Sequence, residues 1–162
     1  MAQIDIFNGD ADGICALAQL RNAEPLESTL ITGVKRDIAL VAKAEVAAGD
    51  RITALDISFD KNREGVLKAL EAGAEIFYVD HHFAGEIPES DRLTTLIDTD
   101  SNVCTSLLVN GYLKGKHVEW AVSSGTIQMF VDGVETNMGQ TGVSWNKVGR
   151  SDDNMHIFGS PR

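Results

Sequence analysis

Near the N-terminus three side chains with hard oxygen atoms, Asn8, Asp10 and Asp12, fall within five residues. An alternating apolar run precedes them and the apolar residues 14–20 follow, which predicts a strand, a tight turn and a helix. In such a turn two carboxylates and an amide carbonyl can aim at one point, and these ligands suit a divalent cation. A purely structural alternative is that Asp12 caps the helix by accepting its first N–H groups.

Further acids and a pair of histidines follow other apolar segments. Asp56 ends one such segment, and Asp80, His81 and His82 directly follow another. Adjacent histidines behind an acid can divide the work of metal ligand and substrate contact, although such pairs also occur as surface or capping features. Carboxylates crowded together repel one another unless cations offset their charge. The combination therefore favours one or two divalent metal ions.

Alternating strands and helices are predicted to carry these residues. The apolar spacing predicts strands around residues 4–7, 28–32, 51–57, 75–79 and 93–97, and helices over 14–20, 37–46, 62–73 and 103–113. This alternation indicates an α/β fold with a parallel sheet and flanking helices. Such sheets bind ligands at the carboxyl ends of their strands, which is where the acids and histidines fall.

Length and composition set limits on the function. The 162 residues are 43% hydrophobic, which is typical of a globular chain with one main domain. The net charge of -10 argues against binding of duplex nucleic acid, while a short phosphate substrate held by cations is compatible with it. Cys15 and Cys104 lie among apolar residues, which predicts reduced, buried thiols. With no signal peptide or membrane-length apolar stretch, we expect a cytoplasmic protein without membrane contact.

The last forty residues differ from the rest. From about Val122 helical spacing disappears, and residues 126–135 predict two strand segments around Asp132-Gly133, a strong hairpin signal. We expect residues 1–121 to form the metal and phosphoester domain and residues 122–162 to form a β-rich tail that is not an independent domain. Its hairpin would add to this chain's sheet or pair with a second copy to form a homodimer.

The motifs together resemble those of the DHH phosphoesterase family. That family includes manganese-dependent inorganic pyrophosphatases, single-strand DNA exonucleases and phosphodiesterases acting on short oligonucleotides or cyclic dinucleotides. Asp10-Ala11-Asp12-Gly13 is similar to its first motif, Leu55-Asp56 to its second, and Asp80-His81-His82 to the motif that names it. The resemblance covers roughly residues 3–120, whereas the tail is faintly similar to a strand pair of a concanavalin-type or laminin-G-type sandwich.

The resemblance implies a two-metal centre. Asp10 and Asp12 would each favour a different ion, and Asp56 would bridge the two. His81 would ligate one ion, and Asn8 is a further candidate ligand from its position in the first turn. The expected cofactor is Mn²⁺ or Mg²⁺, with two ions per chain, and the expected substrate is a phosphoester small molecule or a short oligonucleotide.

Four residues are expected to act on the substrate. By the resemblance, His82 would face the scissile phosphate and Asp80 would support the histidine pair. Lys35 and Arg36 follow the second predicted strand, where two cations would bind phosphate, although they are equally compatible with a solvated loop. The expected activity is hydrolysis of a phosphodiester or phosphoanhydride.

The sequence departs from the family pattern in two places. The fourth motif should supply another metal-binding Asp after the strand that begins near His117, but that segment runs into Ser123-Ser124-Gly125-Thr126. The family's second domain, with its glycine-rich, His-containing motif, has no counterpart in residues 122–162. We therefore expect a second metal ion to bind weakly and activity to be impaired, unless Asp98, Asp100 or an acid of the tail compensates.

Three alternatives come from other functional classes. A non-catalytic metal-binding or phosphate-binding module would use the same acids, and the missing fourth-motif Asp is compatible with it. An assembly protein would use the α/β part as a scaffold for its tail. A receiver-type phosphoacceptor domain would place Asp10 and Asp12 after its first strand and Asp56 after its third, although the pair His81 and His82 and the missing Lys-Pro pair argue against it.

Overall fold

Five parallel strands form one sheet in the order β2-β1-β3-β4-β5. The computed structural model describes residues 1–33, 37–117 and 120. The strands are β1 (Gln3–Asn8), β2 (Thr29–Gly33), β3 (Arg51–Leu55), β4 (Glu75–Asp80) and β5 (Leu93–Ile97). The helices are α1 (Ala11–Ala23), α2 (Phe59–Glu71) and α3 (Thr105–Tyr112), with a single 3₁₀ turn at Val41–Lys43. The predicted α/β fold with a parallel sheet and flanking helices is confirmed.

The register of the sheet brings the ends of the central strands to one edge. Phe7 on β1 pairs with Leu55 on β3, and Leu55 pairs with Val79 on β4. The turn after β1, Asp56 after β3 and the residues at the end of β4 therefore lie side by side. The strand order reverses between β1 and β3, and ligands bind at this kind of crevice in open parallel sheets.

Helices cover both faces of the sheet. On one face α1 and α3 pack over β1, β3 and β4 through a cluster that includes Leu17, Leu55, Val79 and Val109. On the other face α2 and the 3₁₀ turn pack against a cluster of buried residues, among them Ile6, Leu40, Ile52, Phe59 and Tyr78. These two apolar layers fix the strand ends in place.

The helix predicted over residues 37–46 is wrong, since the structure has only the 3₁₀ turn there. Asn62 on α2 explains the difference: its side chain accepts from Val41 N at 3.0 Å and donates to Ile38 O at 2.7 Å. Backbone groups that a helix would pair internally are bonded to Asn62 instead. Leu40 and Val41 are neighbours in sequence and both are buried beside α2. The apolar residues of this segment therefore reach the core without forming a helix.

Other expectations hold with shifted boundaries. The helix predicted over residues 62–73 begins three residues earlier, at Phe59, and Cys104 lies just before α3 and is half-buried. Cys15 and Cys104 form no disulfide with one another, and burial raises the pKa of Cys104 to about 12. None of the helices in the described part of the chain is long and apolar enough to cross a bilayer. The tail, and with it the domain boundary at residue 121, lies outside the described residues.

Candidate metal centre

The turn after β1 is built around Asp10. Its Oδ1 accepts from the backbone amides of Asp12 and Gly13 at 3.1 and 3.2 Å, which makes Asp10 the N-cap of α1. Its Oδ2 accepts from the Asn8 side-chain amide at 3.0 Å. Capping by Asp12, the structural alternative from the sequence, is therefore wrong, because its neighbour Asp10 caps α1. Asn8 acts as a hydrogen-bond donor to Asp10, and its role as a metal ligand stays a prediction.

Gly13 lets α1 begin immediately after the strand. A Cβ at this position would lie 2.2 Å from the Asn8 carbonyl oxygen, which no side chain can accommodate without moving the backbone. The close approach keeps the turn short and holds Asp10 and Asp12 at the sheet edge. Steric exclusion of any side chain thus explains why the first motif has Gly at position 13.

The Asp12 side chain contacts α3, which packs on the same face of the sheet as α1. Its Oδ2 accepts from the Thr105 amide at 2.9 Å, and its Oδ1 accepts from the Ser106 amide at 2.7 Å. These amides belong to the first turn of α3, where backbone N–H groups lack partners within the helix. Asp12 therefore caps α3 across a separation of more than ninety residues in sequence.

Asp56 is a buried acid of this edge, with 2% of its surface exposed. Its φ of 58° places it in the left-handed region, which Asp tolerates better than most residues, and its amide donates to Val79 O at 3.0 Å. Burial, together with the nearby charges of Asp12 and Asp10, holds the pKa of the Asp56 carboxyl well above its ordinary value. Three carboxylates thus converge on one partly desolvated point.

His81 bridges two of these acids. Its Nε2 lies 3.4 Å from Asp56 Oδ1 and 3.7 Å from Asp12 Oδ2. The imidazole therefore faces the same point as the carboxylates. This places the three residues where a shared cation would contact all of them.

His82 turns toward a different acid. Its Nδ1 lies 2.7 Å from Asp80 Oδ1, and this hydrogen bond raises the pKa of His82 above its ordinary value despite partial burial. The Asp80 side chain is fully buried, and its Oδ2 has no hydrogen-bond partner among residues 1–33, 37–117 and 120. Asp80 therefore holds the orientation of His82 while it keeps acceptor capacity of its own.

The donor set fits a divalent cation. Asp56, His81 and His82 each offer a ligand atom, and these atoms all lie within 4.8 Å of one another. Asp12 Oδ2 is close to His81 as well; each Asp12 oxygen accepts a hydrogen bond from one backbone amide of α3, and a carboxylate oxygen can accept more than one. Carboxylate oxygens with imidazole suit Mn²⁺ and Mg²⁺ or a similar ion. A cation would remove the repulsion that raises the Asp56 pKa.

Most side chains of this cluster are candidates that the sequence analysis names. Asp10, Asp12, Asp56, His81 and the Asp80–His82 pair meet at the predicted edge, whereas Lys35 and Arg36 lie outside the described residues. Thr105 was missed, although its hydroxyl donates to Asp56 Oδ1 at 3.0 Å. The available signal was the pair Thr105-Ser106 at the start of a helical pattern, where hydroxyl residues commonly occur. Its link to Asp56 depends on tertiary structure.

Comparison with known proteins adds no relative, since no protein-family model and no curated protein matches this chain. The resemblance to DHH phosphoesterases therefore rests on three short motifs and their order. The acids and histidines of those motifs converge at one edge of the sheet.

Proposed function

We propose that the chain is a metal-dependent phosphoesterase of the DHH type, hydrolysing a phosphodiester or phosphoanhydride in a small molecule or short oligonucleotide. The observation that carries the proposal is the contact of His81 Nε2 with Asp56 and Asp12 at 3.4 and 3.7 Å. This cluster lies beside the β1/β3 switch point, the usual ligand crevice of such a sheet. The reaction class comes from the resemblance of the three motifs to that family.

Asp56, His81 and Asp12 would hold the cation, with Asp10 beside them as a further acid. When bound, one or two divalent ions would supply positive charge to the phosphoryl oxygens and activate water. Asp56 is the main anchor, because it is more buried than Asp10 and Asp12 and lies close to both. Asp10 and Asp12 also cap α1 and α3, so the same carboxylates fix the helices that frame the centre.

His82 would handle the substrate. The Asp80 carboxylate holds Nδ1 at 2.7 Å, which leaves Nε2 to bind a phosphoryl oxygen or to give a proton to the leaving group. The raised pKa of His82 favours the protonated form that both tasks require. Because 45% of the His82 side chain is exposed, a substrate can reach it.

Metal-dependent hydrolysis of bis-p-nitrophenyl phosphate tests the proposal. We expect protein purified without chelator, and supplied with Mn²⁺, to release nitrophenolate, and we expect Asp56→Asn to abolish release. Asp91→Asn is the matched control, because Asp91 is an exposed acid after the end of β4. The proposal fails if Asp56→Asn retains the turnover of the Asp91→Asn control.

A non-catalytic metal-binding module is the second candidate. It is favoured by the hydrogen bonds that already engage Asp10 Oδ1 and both oxygens of Asp12, since shared carboxylates make weaker ligands. One tightly bound Mn²⁺ per chain, without turnover of any phosphodiester or pyrophosphate, would select this candidate. Turnover that requires high free Mn²⁺ would instead indicate an enzyme with a weak second ion.

The receiver-type alternative shares the sheet order β2-β1-β3-β4-β5 with this chain. A phosphoacceptor must meet a phosphodonor, and Asp56 is only 2% exposed with His81 against it. This burial favours a ligand role for Asp56. Labelling of Asp56 by acetyl phosphate would select the receiver instead.

A further inference from the structure

Two of the clustered acids are held by a single residue of α3. Thr105 is fully buried, and its backbone amide donates to Asp12 Oδ2 at 2.9 Å. Its hydroxyl donates to Asp56 Oδ1 at 3.0 Å. His81 faces the same Asp56 oxygen, with its Nε2 at 3.4 Å.

We propose that Thr105 is a positioning residue for the metal centre, which sets the orientation of the Asp56 carboxylate through its side-chain hydroxyl. The inference rests on the proposed function, because it assigns a role in the same centre. It adds a residue that lies outside the three motifs from which the centre was identified. Thr105 does not contact the cation or the substrate and acts through Asp56.

The chemistry of Asp56 explains why this hydroxyl matters. The carboxylate of an Asp rotates in a broad, roughly two-fold well about its last torsion, so packing alone sets its plane loosely. Asp10 and Asp12 repel Asp56, and the repulsion would turn the carboxylate away from them. A hydroxyl donor at 3.0 Å opposes that rotation and keeps the carboxylate beside His81.

The position of Thr105 on α3 makes the support rigid. It is the first residue of the helix, and its amide is anchored on Asp12, so the hydroxyl has little freedom to move away. α3 in turn packs on the sheet through Val109, which is fully buried in the cluster with Leu17, Leu55 and Val79. Side chains that orient a metal ligand in this way commonly change metal affinity by about 10–100-fold when they are removed.

Isosteric substitution tests the proposal. Thr105→Val keeps the shape, the branching and the backbone amide but removes the hydroxyl, and Thr105→Ser keeps the hydroxyl. We expect Thr105→Val to bind Mn²⁺ about tenfold or more weakly in calorimetry, and Thr105→Ser to bind within about threefold of the unmutated protein. The visible absorption bands of the Co²⁺-loaded protein should shift in Thr105→Val and return in Thr105→Ser.

Thr53→Val is the matched control. Thr53 is a buried threonine on β3 whose hydroxyl accepts from Gln3 and Arg21 rather than contacting the cluster. We expect it to lower the melting temperature of the metal-free protein while the Mn²⁺ affinity and the Co²⁺ spectrum stay unchanged. A general loss of stability would act on both threonine variants, whereas a positioning role acts on Thr105 alone.

The outcomes separate this inference from the proposed function. Unchanged Mn²⁺ affinity and Co²⁺ bands in a folded Thr105→Val variant would overturn the inference and leave the metal centre standing. Weak binding in Thr105→Ser equal to that in Thr105→Val would overturn it as well, since the hydroxyl would then not be the cause. Failure of the unmutated protein to bind Mn²⁺ would overturn both.

Discussion

At the scale of single residues, Asp56 shows a conflict between stability and function. It lies in the left-handed backbone region, 2% exposed, with Asp12 and Asp10 near enough to raise its pKa. A buried charge beside like charges destabilises the fold, and such local costs are characteristic of functional sites. A bound cation would reverse the sign of this contribution.

We therefore expect Asp56→Asn to stabilise the metal-free protein and to abolish stabilisation by Mn²⁺. The pKa of Asp56 in the folded protein is raised above 3.8, so its contribution to stability is fully present below about pH 4 and is lost as pH rises through the folded pKa. The gap between the variant and the unmutated protein should widen with pH. Melting curves with chelator at pH 5 and pH 8 measure it, at about 2–4 °C per kcal/mol. An equal gap at both pH values would contradict the assignment.

We expect substitution of one histidine to lower turnover and substitution of the other to lower Mn²⁺ affinity. Because Asp80 holds His82 at 2.7 Å and His81 faces the acids, we expect His82→Ala to lower turnover about 100-fold or more while Mn²⁺ affinity changes little. His81→Ala should weaken Mn²⁺ binding itself. Calorimetry and phosphodiester turnover on both variants check this. Equal loss of Mn²⁺ affinity in both would make His82 a metal ligand.

The position of a residue in the centre could be predicted from sequence only where that residue directly follows a recognisable strand. Asp56 and the Asp80–His82 pair follow apolar runs, and parallel strands bring such ends together whatever the helices do. The division of labour between Asp10 and Asp12 could not be predicted, because both stand in the same turn. The structure separates them by tertiary contacts: Asp10 caps its own helix and Asp12 caps α3.

At the scale of elements, α3 is attached to the centre by its first turn. The Thr105 and Ser106 amides both donate to Asp12, which lies on α1. A negative charge at a helix N-terminus is stabilising, so Asp12 of α1 stabilises the start of α3. The start of helix α3 and the candidate metal centre thus share one carboxylate.

Asp12→Ala should consequently destabilise the metal-free protein, in contrast to Asp56→Asn. Loss of a helix cap costs about 0.5–2 kcal/mol, and relief of the repulsion with Asp56 offsets less of it at pH 5 than at pH 8, because the raised pKa of Asp56 makes its charged fraction smaller at the lower pH. Thermal melting at pH 5 with chelator measures the difference. Stabilisation by Asp12→Ala under these conditions would mean that its charge matters more than its two hydrogen bonds.

A helix or strand could be predicted where the spacing of its apolar residues matches the face that it buries against the core. Helix α2 has a regular apolar stripe and was recognised, whereas residues 37–46 have comparable spacing and form only one 3₁₀ turn. The deciding contacts come from Asn62, and Gly65 allows the approach, since a Cβ there would lie 2.8 Å from Ala42 N. The local sequence pattern does not indicate that this backbone is hydrogen-bonded to a side chain more than twenty residues away.

At the scale of the molecule, the described residues of the candidate centre and the fully buried residues of both apolar layers lie within the first 109 residues. Val109 is the last fully buried apolar residue that the structure describes, Leu113 packs partly buried against the same layer, and Ser106 is the last described residue that donates to Asp12. Gln19 adds one later contact, through its side-chain amide to Trp120 O at 3.3 Å. All described residues of the candidate centre thus precede the predicted tail, which begins at residue 122.

Truncation after residue 121 should therefore keep the metal centre. We expect the shortened chain to bind Mn²⁺ with an affinity within about threefold of the full chain, because Asp12, Asp56 and His81 keep every described contact. Calorimetry on both chains, with Asp56→Asn in each as the non-binding reference, makes the comparison. If the shortened chain melts cooperatively but binds Mn²⁺ weakly, a ligand comes from residues 122–162. In that case an acid of the tail replaces the missing fourth-motif Asp, and Asp132→Asn in the full chain is the first variant to examine.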